Sequence, residues 1–183
     1  MGSIILPNTF SETHGRPVIF LAGPIRCAPK WHAEAIAYLL EKSPDILIAA
    51  PVRQIPDTFN KQILEGVPNH FHRQRAWEHH YLDLAAKHGC VLFWLPGPAE
   101  ANPNKVYGAM TRVELGQWIT KIKHDPASRV VFGSDGKFPE ISTVMYDMSL
   151  DAPRHRLHAT LKDTCDAALR VASTQGTPKP ELV

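Results

Sequence analysis

The chain reads as a layered α/β domain built on a parallel sheet, and three observations carry that reading. Short, strongly apolar runs recur along it: Val18–Gly23, Ile46–Ala50, Val91–Leu95 and Arg129–Gly133. Three of the four stop at a proline (Pro24, Pro51 and Pro96), a residue that cannot donate to a ladder and so ends a central strand. Between the runs lie stretches with helical spacing. Strands apolar on both faces that alternate with helices belong to parallel sheets.

Taken in order, residues 1–16 are polar and carry Pro and Gly, which predicts a loose, flexible N-terminal segment. Val18–Gly23 is the first strand. Trp31–Leu40 follows as a helix with Trp31, Ala35, Tyr38 and Leu39 on one face. Ile46–Ala50 is the second strand, and Asp57–His70 a long connection. His72–His88 is a helix with Trp77, Tyr81, Leu84 and Ala85 on one side. Val91–Leu95 is the third strand, and Pro96–Gly108 a second long connection; such loops in compact domains are often functional. Ala109–Lys123 is a helix, Arg129–Gly133 a fourth strand and Thr143–Tyr146 a short fifth. Asp163–Ala172 closes the series as a helix aligning Cys165, Leu169 and Ala172, before a tail at 173–183. The expected architecture is a flavodoxin-like or Rossmann-like doubly wound parallel sheet of about five strands in three layers. It forms a single domain over 17–172.

Composition agrees. With 183 residues, 44% apolar and 21% charged, the chain can bury roughly 70% of its unfolded surface without a disulfide or metal staple. Disorder, collagen and coiled coil are excluded as the main state. The net charge of +2 is too weak an electrostatic footprint for a nucleic-acid polymer, although ten histidines could add positive charge in acid. Cys27, Cys90 and Cys165 are odd in number and form no Cys-x-x-Cys pair, which argues against a disulfide framework or zinc knuckle and fits a reducing cytoplasm. The N-terminus lacks a secretory pattern and has no Ser or Thr at position 6 for myristoylation. No apolar run nears the ~18 residues that span a bilayer. The expected partner is a small molecule met by a local pocket, with no membrane and no nucleic acid.

Doubly wound sheets bind ligands beyond the carboxyl ends of their strands, where the strand order reverses. That rule selects Gly23–Lys30, Pro51–Asn60 and Pro96–Glu114. In Phe20-Leu-Ala-Gly-Pro-Ile-Arg26, Gly23 lets the backbone approach a ligand, while Arg26 and free amides suit a phosphate or sugar hydroxyls. An ordinary strand-to-helix turn would use Gly23 and Pro24 equally well, and no Gly-x-Gly-x-x-Gly is present. Trp31, just after this loop, is a candidate for base stacking or for the core.

In Tyr107-Gly-Ala-Met-Thr-Arg-Val-Glu-Leu-Gly116, Glu114 falls near a helix N-terminus, where the dipole favours its ionised form. An ionised carboxylate aimed into a cleft is a nucleophile suited to an anomeric carbon. The same Thr111-Arg-Val-Glu114 fits a capping box, in which the Glu only satisfies an amide. In Gln74–Asp83, Glu78 and Leu82 share a helical face with Asp83 about 100° away. A carboxylate there could bind ribose hydroxyls, or the segment could be a solvated face with Arg75–His79 and His79–Asp83 as i,i+4 neighbours. His70, His72, His79 and His80 invite a metal reading, but no His-Glu-x-x-His occurs and adjacent helical positions diverge by about 100°. No metal and no redox cofactor is expected.

Phe20-Leu-Ala-Gly-Pro-Ile25, Pro51-Val-Arg53, Trp77-Glu78, Leu92-Phe-Trp-Leu-Pro96 and Thr111-Arg-Val-Glu-Leu-Gly116, in this order over about residues 18–133, resemble the nucleoside 2-deoxyribosyltransferase-like family. The resemblance implies a doubly wound sheet, assembly as a homodimer or larger homo-oligomer, and cleavage of the N-glycosidic bond of 2′-deoxynucleosides without a cofactor. In that family the Glu of the Glu-Leu-Gly signature attacks C1′, and a second nucleobase, or water in hydrolytic relatives, resolves the glycosyl-enzyme. Carried over, the nucleophile is Glu114. Phe20, Gly23, Pro24, Arg26, Trp31, Arg53, Glu78, Asp83, Tyr107 and Thr111 would contact nucleoside or nucleobase. The chain departs from the pattern at three points. Gly108 stands where many members carry an Asp six residues before the nucleophile, with Tyr107, Thr111 and Arg112 nearby. Leu82 stands where many have a sugar-binding Asp, with Glu78 one turn earlier and Asp83 adjacent. Phe20 brings no hydroxyl to the first strand's end. The expected activity is deoxyribosyl transfer. The alternatives are a 5′-monophosphate N-glycosidase, suggested by Arg26, and a non-catalytic nucleotide sensor, suggested by Gly108.

Overall fold

The computed structural model describes residues 3–7, 9–52, 70–100 and 104–174. The elements are β1 (Ser3–Ile5), β2 (Val18–Ala22), α1 (Trp31–Lys42), β3 (Leu47–Ala49), α2 (His70–His88), β4 (Gly89–Leu95), α3 (Ala109–His124), β5 (Val130–Ser134), α4 (Ile141–Asp151), β6 (Leu157–His158) and α5 (Leu161–Ser173). Among the described residues the strands form one six-stranded sheet in the order β1-β3-β2-β4-β5-β6, with every pair parallel. From β2 the chain moves outward to β3, returns to β4 on the other side of β2, and continues outward to β5 and β6. The direction of winding therefore reverses between β2 and β4, as in a flavodoxin-like or Rossmann-like sheet.

Strand alternation divides the core into two layers. Val18, Phe20, Ala22, Val91, Phe93 and Leu95 pack with Trp77 and Tyr81 of α2 and with Leu115 and Trp118 of α3. Ile19, Leu21, Cys90, Leu92 and Trp94 pack with Trp31, Ala35 and Leu39 of α1 and with Cys165 and Ala168 of α5. Because both faces are covered, β2, β4 and β5 are buried throughout, which is why they read as unbroken apolar runs. The prolines stand where they were expected: β2, β3 and β4 end at Ala22, Ala49 and Leu95, just ahead of Pro24, Pro51 and Pro96. Arg129 ties the far end of the sheet to the last helix. Its Nε donates to the Gly89 carbonyl (2.8 Å), and its Nη2 donates to the carbonyls of Val171 and Thr174.

Two expectations need correction. Residues 1–16 are not simply loose. Ser3–Ile5 adds an edge strand beside β3, Ile5 enters the core, the Ser11 amide donates to the Tyr81 hydroxyl (2.8 Å), and Trp77 Nε1 donates to the Thr9 carbonyl (2.8 Å). Three strand residues are too few to show a period amid polar neighbours. Thr143–Tyr146 is not a strand but the middle of α4, a helix that buries only Met148. The edge position is taken by β6, just two residues long. The tail beyond Thr174 and the Arg53–Asn60 part of the second candidate loop lie outside the described residues.

Candidate active site

Helices α2 and α3 lie on the same face of the sheet, and both begin at its carboxyl edge. About two turns into α2 and one and a half into α3, Glu78 and Glu114 come together through a shared partner. Arg75 Nη1 donates to the Glu78 carboxylate on its own helix and, at 3.1 Å, to Glu114 Oε1 on α3. Two carboxylate oxygens held by one nitrogen stand no further apart than two hydrogen bonds, about 6 Å. Both oxygens of Glu78 are bonded, Gln74 Nε2 donating to its Oε1 at 3.0 Å while Arg75 takes Oε2. Glu114 is bonded through Oε1, and its side chain is only 13% exposed. Beside the trio runs a shallow groove between the helices, lined by Arg75, His79, Leu82, Asp83, Glu114 and Trp118 among others.

Two carboxylates and one guanidinium leave the trio one negative charge in excess. Burial is the strongest influence on Glu114 and raises its pKa above the usual 4.5; the Arg75 hydrogen bond pulls it down, and the Glu78 charge pushes it up again. Burial also works against the charge of Arg75. Its bond to Glu114 and the charge of Glu78 outweigh that, so it holds its proton more tightly than an ordinary arginine. The sequence-based expectation that the helix dipole would leave Glu114 readily ionised is therefore corrected. Glu114 lies in the second turn, where the dipole fades, and desolvation dominates.

The capping reading of Glu114 also falls. Helix α3 starts at Ala109 with Gly108 as N-cap, and no side chain caps it. Thr111 is thus the third helical residue, buried, and Glu114 the sixth. Gly108 explains its own departure from the family pattern. Its φ of +62° is left-handed, and a Cβ would meet the Phe138 ring at 2.9 Å, so an acidic side chain has no place there. Neither Tyr107 nor Arg112 turns to Glu114 instead. Tyr107 donates its hydroxyl to the carbonyls of Pro96 (2.9 Å) and Gly97 (3.2 Å). Burial first, then the charge of Asp135, pushes its pKa up to about 12. Arg112 donates to the Pro139 carbonyl (3.0 Å) and lies over the Phe138 ring.

At the carboxyl edge, Gly23 is required by geometry. Its φ is +152°, and a Cβ would stand 2.3 Å from the Trp94 carbonyl oxygen and 2.8 Å from Trp31 Cζ2. Trp31 plugs that corner as a core residue, 2% exposed, with Nε1 donating to the Pro24 carbonyl at 2.9 Å. Pro24 is buried, whereas Arg26 is exposed on the loop. The Ala99 amide donates to the Cys27 carbonyl (2.8 Å), and the Gly97 amide to Asp135 Oδ1 (2.9 Å), so the turns after β2, β4 and β5 are tied together. Phe20 is buried against Trp77, ring centroids 5.9 Å apart. Asp83 is exposed on the groove rim, where its Oδ1 accepts from Lys121 Nζ at 2.6 Å. Arg53 lies outside the described residues.

The structure thus gathers Glu114 and Asp83 along the α2–α3 groove, with Glu78 joined to Glu114 through Arg75, and Gly23, Pro24, Trp31 and Tyr107 in the turns at the sheet edge. Phe20 and Thr111 are interior. Sequence reasoning missed Gln74 and Arg75 as members of the carboxylate site. The only signal was their i+4 and i+3 spacing to Glu78, which any solvated helix shows. Asp135 left no signal. Among the described residues, no three His, Cys, Asp or Glu side chains cluster as a metal site. No family model matches the chain, and no curated protein matches it in sequence, so its own geometry and its short motifs carry the functional reading.

Proposed function

We propose that this protein cleaves the N-glycosidic bond of 2′-deoxynucleosides and transfers the deoxyribosyl group to another nucleobase, with Glu114 as nucleophile. The observation that carries the reading is the Glu114–Arg75–Glu78 arrangement: a buried carboxylate with one oxygen committed, joined by an arginine to a second carboxylate with both oxygens bonded. A Glu114 oxygen attacks C1′ as the C1′–N bond breaks. The base departs with the bonding electrons and takes up a proton. A ring nitrogen of the second base then attacks C1′ and gives up its proton to solvent, the glycosyl-ester bond breaks, and Glu114 is regenerated as the carboxylate. The transition state is oxocarbenium-like, and the excess negative charge of the trio favours it. Glu78, or Asp83 at the groove rim, would accept hydrogen bonds from sugar hydroxyls. No metal or redox group is called for, and a homodimer or larger homo-oligomer would enclose the open groove.

The test is incubation with a deoxynucleoside and a different free base, following exchange by chromatography. Exchange should occur with wild type and vanish in Glu114→Gln. Near wild-type turnover in a folded Glu114→Gln would refute the assignment. A second reading, hydrolysis of a 5′-monophosphate, is favoured by the exposed Arg26 beside Gly23, a cation placed where the backbone approaches closely. Release of sugar phosphate without an acceptor base would select it. Tight nucleotide binding with no base release would instead select a sensor.

A further inference from the structure

We propose that Arg75 is the positioning residue of this site: one nitrogen, Nη1, holds the Glu114 carboxylate of α3 against Glu78 of α2 and fixes which Glu114 oxygen is left for substrate. The inference rests on the proposed reading of Glu114 and deepens it. Arg75 is the only group among the described hydrogen bonds that joins the two carboxylates. It binds Glu114 through Oε1, which leaves Oε2 for C1′. Because Gln74 and Arg75 already occupy both oxygens of Glu78, that carboxylate serves as the anchor and Glu114 as the arm. The guanidinium is itself anchored from the outside, its Nη2 lying 3.5 Å from His79 Nε2. Among the described residues, the charged groups bonded to or bridged with Glu114 are therefore Arg75 and Glu78, with His79 and the charged Asp83 on α2 and Lys121 on α3 further along the same groove. Lys121 is held by Asp83, so Arg75 is the cation that answers Glu114.

A purely structural arginine and a positioning one make different predictions for Glu114. In Arg75→Gln the counter-charge and donor are lost while burial and the Glu78 charge remain, so Glu114 should titrate at higher pH than in wild type. This is read by carbon-13 NMR of the side-chain carboxyls, with Glu114→Gln to assign the signal. In exchange assays the acidic limb of the kcat profile should move to higher pH, and kcat should fall about 10- to 100-fold, the loss expected for a charged hydrogen bond, with KM changing less. Arg75→Lys, which keeps the charge but offers no fork, should recover part of kcat. If Arg75→Gln does not fold at neutral pH, the Arg75→Gln/Glu78→Gln pair removes the carboxylate repulsion, and Glu114 should still titrate above wild type. A Glu114 midpoint at or below the wild-type value in the folded variant overturns the proposal. If wild type transfers and hydrolyses nothing, the proposed function fails, while the carboxyl titration still decides the role of Arg75.

Discussion

Gly108 is where the chain departs from the family pattern and where the structure accounts for the departure, so Gly108→Asp is a direct test of that account. The substitution asks a non-glycine residue to hold φ at +62°, and it places a Cβ 2.9 Å from Phe138 Cε2 and 3.0 Å from Cζ. The left-handed conformation costs about 1–2 kcal/mol. Phe138 is 1% exposed, so its ring must retreat into packed surroundings, an overpacking cost of about 1–3 kcal/mol. An Asp ordinarily stabilises an N-cap, but it does so from an extended backbone conformation that this cap does not have. The sum is near 3 kcal/mol, or about 6–12 °C in Tm for a chain of this size. The assay is thermal and urea unfolding followed by circular dichroism. Repeated in a Phe138→Leu background, the penalty should shrink to the conformational part, about 1–2 kcal/mol. A Gly108→Asp protein melting within about 2 °C of wild type, or an equal penalty in both backgrounds, would show that Phe138 and backbone shape do not exclude the acidic residue.

Glu114→Gln should also alter stability with pH. The folded pKa of Glu114 is raised above its unfolded 4.5, so its contribution is complete below pH 4.5 and is lost as pH climbs through the folded value. Relative to wild type, the variant should therefore gain stability as pH rises above 4.5, measured by urea midpoints at a series of pH values. His32 has the opposite sign. It is 6% exposed with Nε2 unpartnered, and burial lowers its pKa from 6.5 to about 3. Stability linked to it is complete above pH 6.5 and falls as pH drops towards 3, by at most about 1.4 kcal/mol per pH unit. His32→Phe, which keeps a ring against Trp31, should flatten that acid limb. Arg129→Ala removes the guanidinium that donates to the carbonyls of Gly89, Val171 and Thr174, and should cost about 2–3 kcal/mol in urea unfolding. Hydrogen exchange should report the loss first at the end of α5.

The central sheet was legible because each buried strand is a short apolar run closed by a proline or a glycine, a signal contained within six or seven residues. Whatever depended on a distant partner was not. Thr111-Arg-Val-Glu114 is the same string whether or not it caps a helix. The start of α3 was decided by Gly108 in its left-handed shape against Phe138, thirty residues further on. Thr143–Tyr146 has the β-branched and aromatic residues of a strand, but it lies within α4, which buried Met148 and half-buried Ile141 and Val144 hold against the core. Strands β1 and β6, three and two residues long, borrow their conformation from β3 and β5. Arg75 looked like one half of a surface pair with His79. Only the approach of α3 turned it into the bridge between two carboxylates.

The carboxylates themselves admit one more discrimination, because their environments differ although their chemistry does not. Both oxygens of Glu78 are bonded, by Gln74 and by Arg75, while Glu114 is bonded through one oxygen and its pKa is raised by burial. If Glu78 were the nucleophile, its bond to Gln74 or to Arg75 would have to loosen before attack, and Glu114 would be left to hold the sugar. With Glu114 as the nucleophile, neither rearrangement is needed. Glu78→Gln should then reduce exchange without abolishing it. Since the Glu78 charge is one of the causes that raise Glu114, removing it should move the acidic limb of the rate profile to lower pH, opposite to Arg75→Gln. Exchange abolished by Glu78→Gln and retained by Glu114→Gln would reverse the two roles. Limbs moving the same way in Glu78→Gln and Arg75→Gln would mean that the profile reports some group other than Glu114.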